Sequence, residues 1–119
     1  AQGVGLFAPF RYGDFEREGT GGRGMTDREI EYTIRTVLNP RCTLSAQERY
    51  FMIALAVVEL ETGACSVSVS DLAMCCNVNI RQAKRTMKRL KLCGAVSVVG
   101  KRKTKSGYMN IYRLSVDNV

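Results

Sequence analysis

The stretch NVNIRQAKRTMKRLKLCG, residues 77–94, carries Arg81, Lys84, Arg85, Lys88, Arg89 and Lys91 and no acidic side chain. Guanidinium and ammonium groups donate hydrogen bonds and positive charge to anions, and do little else. At about 100° per residue, a helix through this stretch puts Ile80, Ala83, Met87 and Leu90 on one face as its core side. Arg85 lies opposite, flanked by Arg81, Arg89, Gln82 and Lys88, with Lys84 and Lys91 at the edges. Arg81 with Arg85, Lys84 with Lys88, and Arg85 with Arg89 are then like-charged pairs four residues apart, each costing about 0.2–0.5 kcal/mol. An external polyanion explains such a helix better than a solvated face does, because solvated faces alternate their signs. A helix fits the major groove of B-form DNA, where arginine pairs with guanine and glutamine with adenine. Arg81, Gln82 and Arg85 are therefore candidate base readers, and Lys84, Lys88 and Arg89 candidate phosphate contacts. Gln82 has an equally good second reading as the capping partner of Asn79 at the helix start.

Other chemistries find less support. The chain has no histidine, and its carboxylates form no paired acid–base motif. The glycines of GTGGRG neither follow a strand nor match a nucleotide-binding spacing. Five cysteines, with Cys75 and Cys76 adjacent and no C-x-x-C pair, fit neither a disulfide framework nor a zinc site. They read as small core residues of a protein in a reducing compartment, the cytoplasm. The expectation is no enzyme, no metal and no cofactor.

The formal charge of +7 understates the asymmetry of the chain. Residues up to Asp71 hold seven basic and ten acidic side chains, whereas those from Leu72 onward hold eleven basic ones and only Asp117, giving about −3 and +10. An excess confined to one segment implies an electrostatic face for a polyanion, with nucleic acid ahead of an anionic membrane. No apolar run reaches the eighteen residues of a membrane span, so a soluble protein is expected. The first residues lack the pattern of a secretory signal and an initiator Met, which predicts a processed product.

At 119 residues one domain is expected. Residues 1–24 hold seven of the eleven glycines and three of the four phenylalanines without lasting periodicity, and read as a flexible arm whose Phe7, Phe10, Tyr12 and Phe15 could pack on the domain or on a second subunit. Thr26 with Glu29 is a capping box opening a helix with the stripe Ile30, Ile34, Val37 and Leu38, ended by Asn39–Pro40. Ser45 with Glu48 opens a second helix, apolar around its circumference and so central, stopped by Gly63. Ser68 caps a short third helix with Leu72, Ala73 and Cys75 inward. Asn77 and Val78 turn the chain, and Asn79 caps the basic helix, which Leu92, Cys93 and Gly94 end. AVSVV and YMNIYRL read as strands around a mobile basic tip, GKRKTKSG, between Gly100 and Gly107.

From Ser68 to Leu114 this order resembles the winged helix-turn-helix family. SVSDLAMCCNVNIRQAKRTMKRL is similar to that family's second helix, turn and recognition helix, with Leu72 and Ala73 at its usual Leu-Ala pair. Asn77 stands where glycine is frequent, a mild departure because asparagine tolerates a left-handed backbone. LKLCGAVSVV and NIYRL resemble the strands of the wing. The segments before Ser68 resemble, more loosely, origin-binding domains of phage and plasmid replication initiators. The fold implied is mainly α with a small β-hairpin, a winged helix-turn-helix over residues 25–119, binding double-stranded DNA by a recognition helix (79–92) and a basic wing (100–107). Wing phosphate contacts would come from Lys101, Arg102, Lys103 and Lys105, and further ones from Ser68 and Ser70, where a plain N-cap is the competing reading. The implied role is transcription regulation, with replication or partition, and a protein-interaction winged helix, as alternatives. A homodimer formed through the arm and the helix from Asp27 to Leu38 is compatible with this pattern, as is a monomer.

Overall fold

The computed structural model describes residues 24–105 and 107–119. The sequence-predicted arm falls almost wholly outside them, together with Phe7, Phe10, Tyr12 and Phe15. Four helices, α1 (Asp27–Leu38), α2 (Ala46–Thr62), α3 (Val69–Cys75) and α4 (Ile80–Leu92), precede an antiparallel hairpin of β1 (Val96–Thr104) and β2 (Gly107–Leu114).

Each helix starts where a side-chain oxygen can satisfy orphan backbone donors. The Glu29 N–H donates to Thr26 Oγ1 at 3.1 Å while the Thr26 N–H donates to Glu29 Oε1 at 2.8 Å. Ser45 and Glu48 repeat the exchange at 3.2 and 2.9 Å, opening α2. Helix α2 is the centre of the core: Phe51, Met52, Leu55 and Val58 are fully buried, and Leu72 of α3, Leu90 of α4 and Val96 of β1 complete the same apolar cluster. On α1 the inward residues are Ile30, Thr33 and Val37, with Ile34 partly buried. Leu38, expected in that stripe, is 60% exposed, because the helix ends there and leaves it no facing neighbour. Thr33 takes part in the core by donating its hydroxyl to the Glu29 carbonyl at 2.8 Å, so only its methyl needs apolar company.

Gly24 and Met25, at the boundary of the expected arm, lie against α2. The Met25 N–H donates to Oε2 of the buried Glu59 at 2.8 Å. A side chain at Gly24 would place its Cβ 2.5 Å from the Gly63 carbonyl oxygen, so the backbone approaches α2 more closely than any other residue allows.

Between α3 and α4 the chain reverses through a left-handed residue. Asn77 has φ 57°, the Val78 N–H bonds the Ala73 carbonyl at 3.0 Å, and the Asn77 N–H bonds the Met74 carbonyl at 3.2 Å. Together these bonds form a Schellman ending. The same pattern closes α4, with Gly94 at φ 85° and the Ala95 N–H on the Leu90 carbonyl at 3.0 Å. Inward residues of α3 are Leu72 and Ala73; Cys76 is buried just past the helix, and Cys75, expected inside, is only half-buried. An Asn77→Ala variant should lose about 1–2 kcal/mol in urea unfolding and Asn77→Gly should lose none, since an alanine Cβ clashes in this conformation and glycine has none.

A segment that the sequence reading passed over ties the hairpin to the helices. Residues Cys65–Val67 are buried and run beside β2, where the Tyr112 N–H donates to the Cys65 carbonyl at 2.8 Å and Ser66 Oγ to the Asn110 carbonyl at 2.9 Å. The alternation in CSVSV was the available signal.

The hairpin itself is longer than expected. Lys101, Arg102 and Lys103 are not a loose tip but strand residues, paired with Asn110, Met109 and Tyr108. A bulge lies between Val98 and Gly100: Val98 pairs with Tyr112, Gly100 with Ile111, and Val99 is the extra residue. Directly opposed residues share a face, so the bulge puts Val96, Val98, Lys101 and Lys103 on one side with Leu114, Tyr112, Asn110 and Tyr108. Gly100 and Arg102 fall on the other.

Of the five thiols, all free, Cys93 is exposed and Cys42, Cys65 and Cys76 are buried. Burial pushes Cys65 well above its ordinary value, with the Glu59 carboxylate adding to the rise. Burial, helped by the Cys75 neighbour, pushes Cys76 from 9.0 to about 11, and burial and then Asp71 raise Cys75. A raised thiol pKa leaves less thiolate near neutrality. At about pH 8 an aromatic disulfide reagent should therefore label Cys93 within seconds to minutes, with Cys42, Cys65 and Cys76 reacting only as the protein unfolds; rapid labelling of four or five thiols would contradict this packing.

Candidate nucleic-acid interface

Helix α4 packs against α3, α2 and β1. Ala83, Thr86, Met87 and Leu90 form its buried side, leaving Arg81, Gln82, Lys84, Arg85, Lys88, Arg89 and Lys91 exposed. Glu31 pairs with Arg35 on α1 at 2.9 Å, and no ion pair to an α4 cation is seen among the described residues. The seven-residue separation of Arg81 from Lys88 is two turns, so these two and Arg85 stand in a row pointing away from the core.

Ile80 departs from its expected place. It is 47% exposed, and Thr86 fills the buried side in its stead. As the first helical residue, Ile80 has no preceding turn to cover it, and it sits beside Arg81 at the end of α4 that adjoins the turn. Gln82 does act as a cap: its Oε1 accepts from the Asn79 N–H at 3.3 Å while its own N–H donates to Asn79 Oδ1 at 2.8 Å. The side chain is exposed, but its acceptor oxygen is engaged. Ser68 is likewise the N-cap of α3, its Oγ accepting from the Asp71 N–H at 3.0 Å. Ser70 is exposed on the first turn, where the Asp71 carboxylate opposes an approaching phosphate.

Within the hairpin, Lys101 and Lys103 are exposed on the face that begins with the core residues Val96 and Leu114, and Lys105 is exposed in the turn. Arg102 is half-buried on the opposite face, so the four expected wing cations do not act as one group. Helix and hairpin are joined at Lys91, whose Nζ lies 5.7 Å from the centroid of the Tyr112 ring, within cation–π range. Since Tyr112 shares its face with Lys101 and Lys103, the Lys91 edge of α4 and the lysine face of the hairpin meet around this ring.

The sequence places Tyr108 in a strand without assigning it a face; opposite Lys103, it is 72% exposed. The missing signal was register: the face of Tyr108 follows from its alternation with Tyr112 and Leu114, but until the bulge in β1 is placed the cations that share that face are undetermined. Among the described residues no group of three or more His, Cys, Asp or Glu side chains could hold a metal ion, and no helix is long and apolar enough to cross a membrane.

Comparison with family models, curated proteins and solved structures yields no match for this chain.

Proposed function

We propose that this chain is a winged helix-turn-helix domain that binds double-stranded DNA in a sequence-dependent manner. Helix α4 would enter the major groove and the hairpin would act as the wing. One observation carries the reading: α4 turns six cations to solvent with no carboxylate among the described residues to balance them. Packing of the helix on a core explains Ala83, Met87 and Leu90, but not this uncompensated charge. The turn at Asn77 and the apposition of α3 and α4 supply the geometry by which such a helix is presented to a groove. Arg81 and Arg85 are assigned to bases, with Gln82 reaching a base only if its amide nitrogen, rather than the capped oxygen, is used. Lys84, Lys88, Arg89, Lys101, Lys103 and Lys105 are assigned to phosphates. Transcription regulation is the proposed role.

Selection from a randomised duplex pool tests the reading. A recovered motif, with affinity falling steeply as salt rises, is the expected result; each neutralised phosphate adds a slope of about −0.9 in log K against log salt. Salt-insensitive binding, or none, would reject it. A single motif copy or an inverted pair would distinguish monomer from dimer, and an iterated array would move the role from promoters to an origin.

A further inference from the structure

Tyr108 is the one aromatic of the hairpin that the fold leaves uncovered. Tyr112, four residues along the same face of β2, is buried beneath Lys91, whereas Tyr108 is 72% exposed opposite its cross-strand partner Lys103. Lys101 and Asn110 are the next pair on that face, so the ring is set among two ammonium groups and an amide, beyond the edge of the core. Cations beside a ring bring a polyanion's backbone to it, and in a duplex, whose base faces are stacked on one another, the apolar parts between phosphates that a ring can reach are the deoxyribose carbons. A ring held on a strand, with two side-chain torsions, loses little entropy on such contact.

We propose that Tyr108 is a stacking residue of the interface, packing its ring on a deoxyribose at the minor groove beside the α4 site while Lys101 and Lys103 hold the flanking phosphates. This rests on the DNA-binding reading above. It adds a contact that salt does not weaken, because no counterion is released when a neutral ring docks.

The experiment is a salt series of binding isotherms on the selected duplex for the full chain and for Tyr108→Ala, Tyr108→Phe and Lys103→Ala, each first checked for native thermal unfolding. Tyr108→Ala should bind roughly tenfold more weakly at every salt concentration with an unchanged slope, and Tyr108→Phe should bind like the parent. Lys103→Ala should instead reduce the magnitude of the slope by about 0.9. Tyr108→Ala binding within twofold of the parent overturns the stacking role while leaving the functional reading intact. A loss with the slope change of the lysine variant overturns it too, by showing that the ring only positions charges. A loss on single-stranded DNA but not on duplex overturns the minor-groove placement. A parent chain that binds no duplex at any salt overturns the functional reading, and this proposal with it.

Discussion

Replacing Arg81 and Arg85 together with alanine is expected to weaken binding to the selected duplex roughly a hundredfold or more, since a bidentate arginine–base pair contributes about 1–3 kcal/mol of discrimination. Both side chains are exposed on the row that points away from the core, and neither has a carboxylate partner among the described residues. Nothing in the fold depends on them, and their removal relieves two like-charge pairs on α4, Arg81 with Arg85 and Arg85 with Arg89, so thermal stability should hold or rise slightly. The salt series separates two ways of losing affinity. Base-reading arginines leave the slope nearly unchanged and blur the motif at defined positions; phosphate-binding ones reduce the magnitude of the slope by about 0.9 each and leave the motif sharp. Arg35→Ala is the control, because its partner is Glu31 on the surface of α1 and its loss should change neither quantity. A double variant that binds within threefold of the parent would remove α4 from the interface.

The second large effect concerns stability. Phe51→Ala should cost about 3–5 kcal/mol, measured as a fall in the urea midpoint. The ring is wholly buried on the central helix, so its removal leaves a cavity bounded by a core that cannot fully collapse. Domains of this size are stable by only about 5–15 kcal/mol, so this one change removes a large fraction of the total. The neighbouring Tyr50, 48% exposed, gives the contrast: Tyr50→Ala should cost about 1 kcal/mol or less. Equal losses at the two positions would mean that α2 is not oriented as described.

Much of the helical framework was legible because helix starts are local events. Thr26 with Glu29, Ser45 with Glu48 and Asn79 with Gln82 each close a ring of atoms within four residues, and all three caps form. The buried face of α4 was readable at Ala83, Met87 and Leu90 for the same reason: helical period alone places them. Errors fell where a distant element decides. Ile80 and Leu38 have the right residue type for burial but lie at helix ends, where cover must come from elsewhere and does not. Thr33 was passed over as polar, although a hydroxyl bonded to its own helix behaves as a methyl toward the core. The run GKRKTKSG looks like a loop by composition, and cross-strand pairing with Tyr108, Met109 and Asn110 overrides that preference. The basic helix of the candidate interface was therefore visible in the sequence, while the orientation of its hairpin was not.

That orientation hangs on one residue. A ladder without the bulge, with Val99 paired opposite Ile111, would change neither the net charge nor the length of the basic run, yet would exchange Lys101 and Lys103 for Gly100 and Arg102 on the side where Tyr112 meets Lys91, whereas deleting Val99 would leave the present pairs in place. Whether Val99 is bulged out or paired thus works as a selector of surfaces. Two chains of the same charge and almost the same composition would present opposite sides of the hairpin to the helix, so composition-based comparison of hairpins of this kind will group together proteins whose cations face different partners.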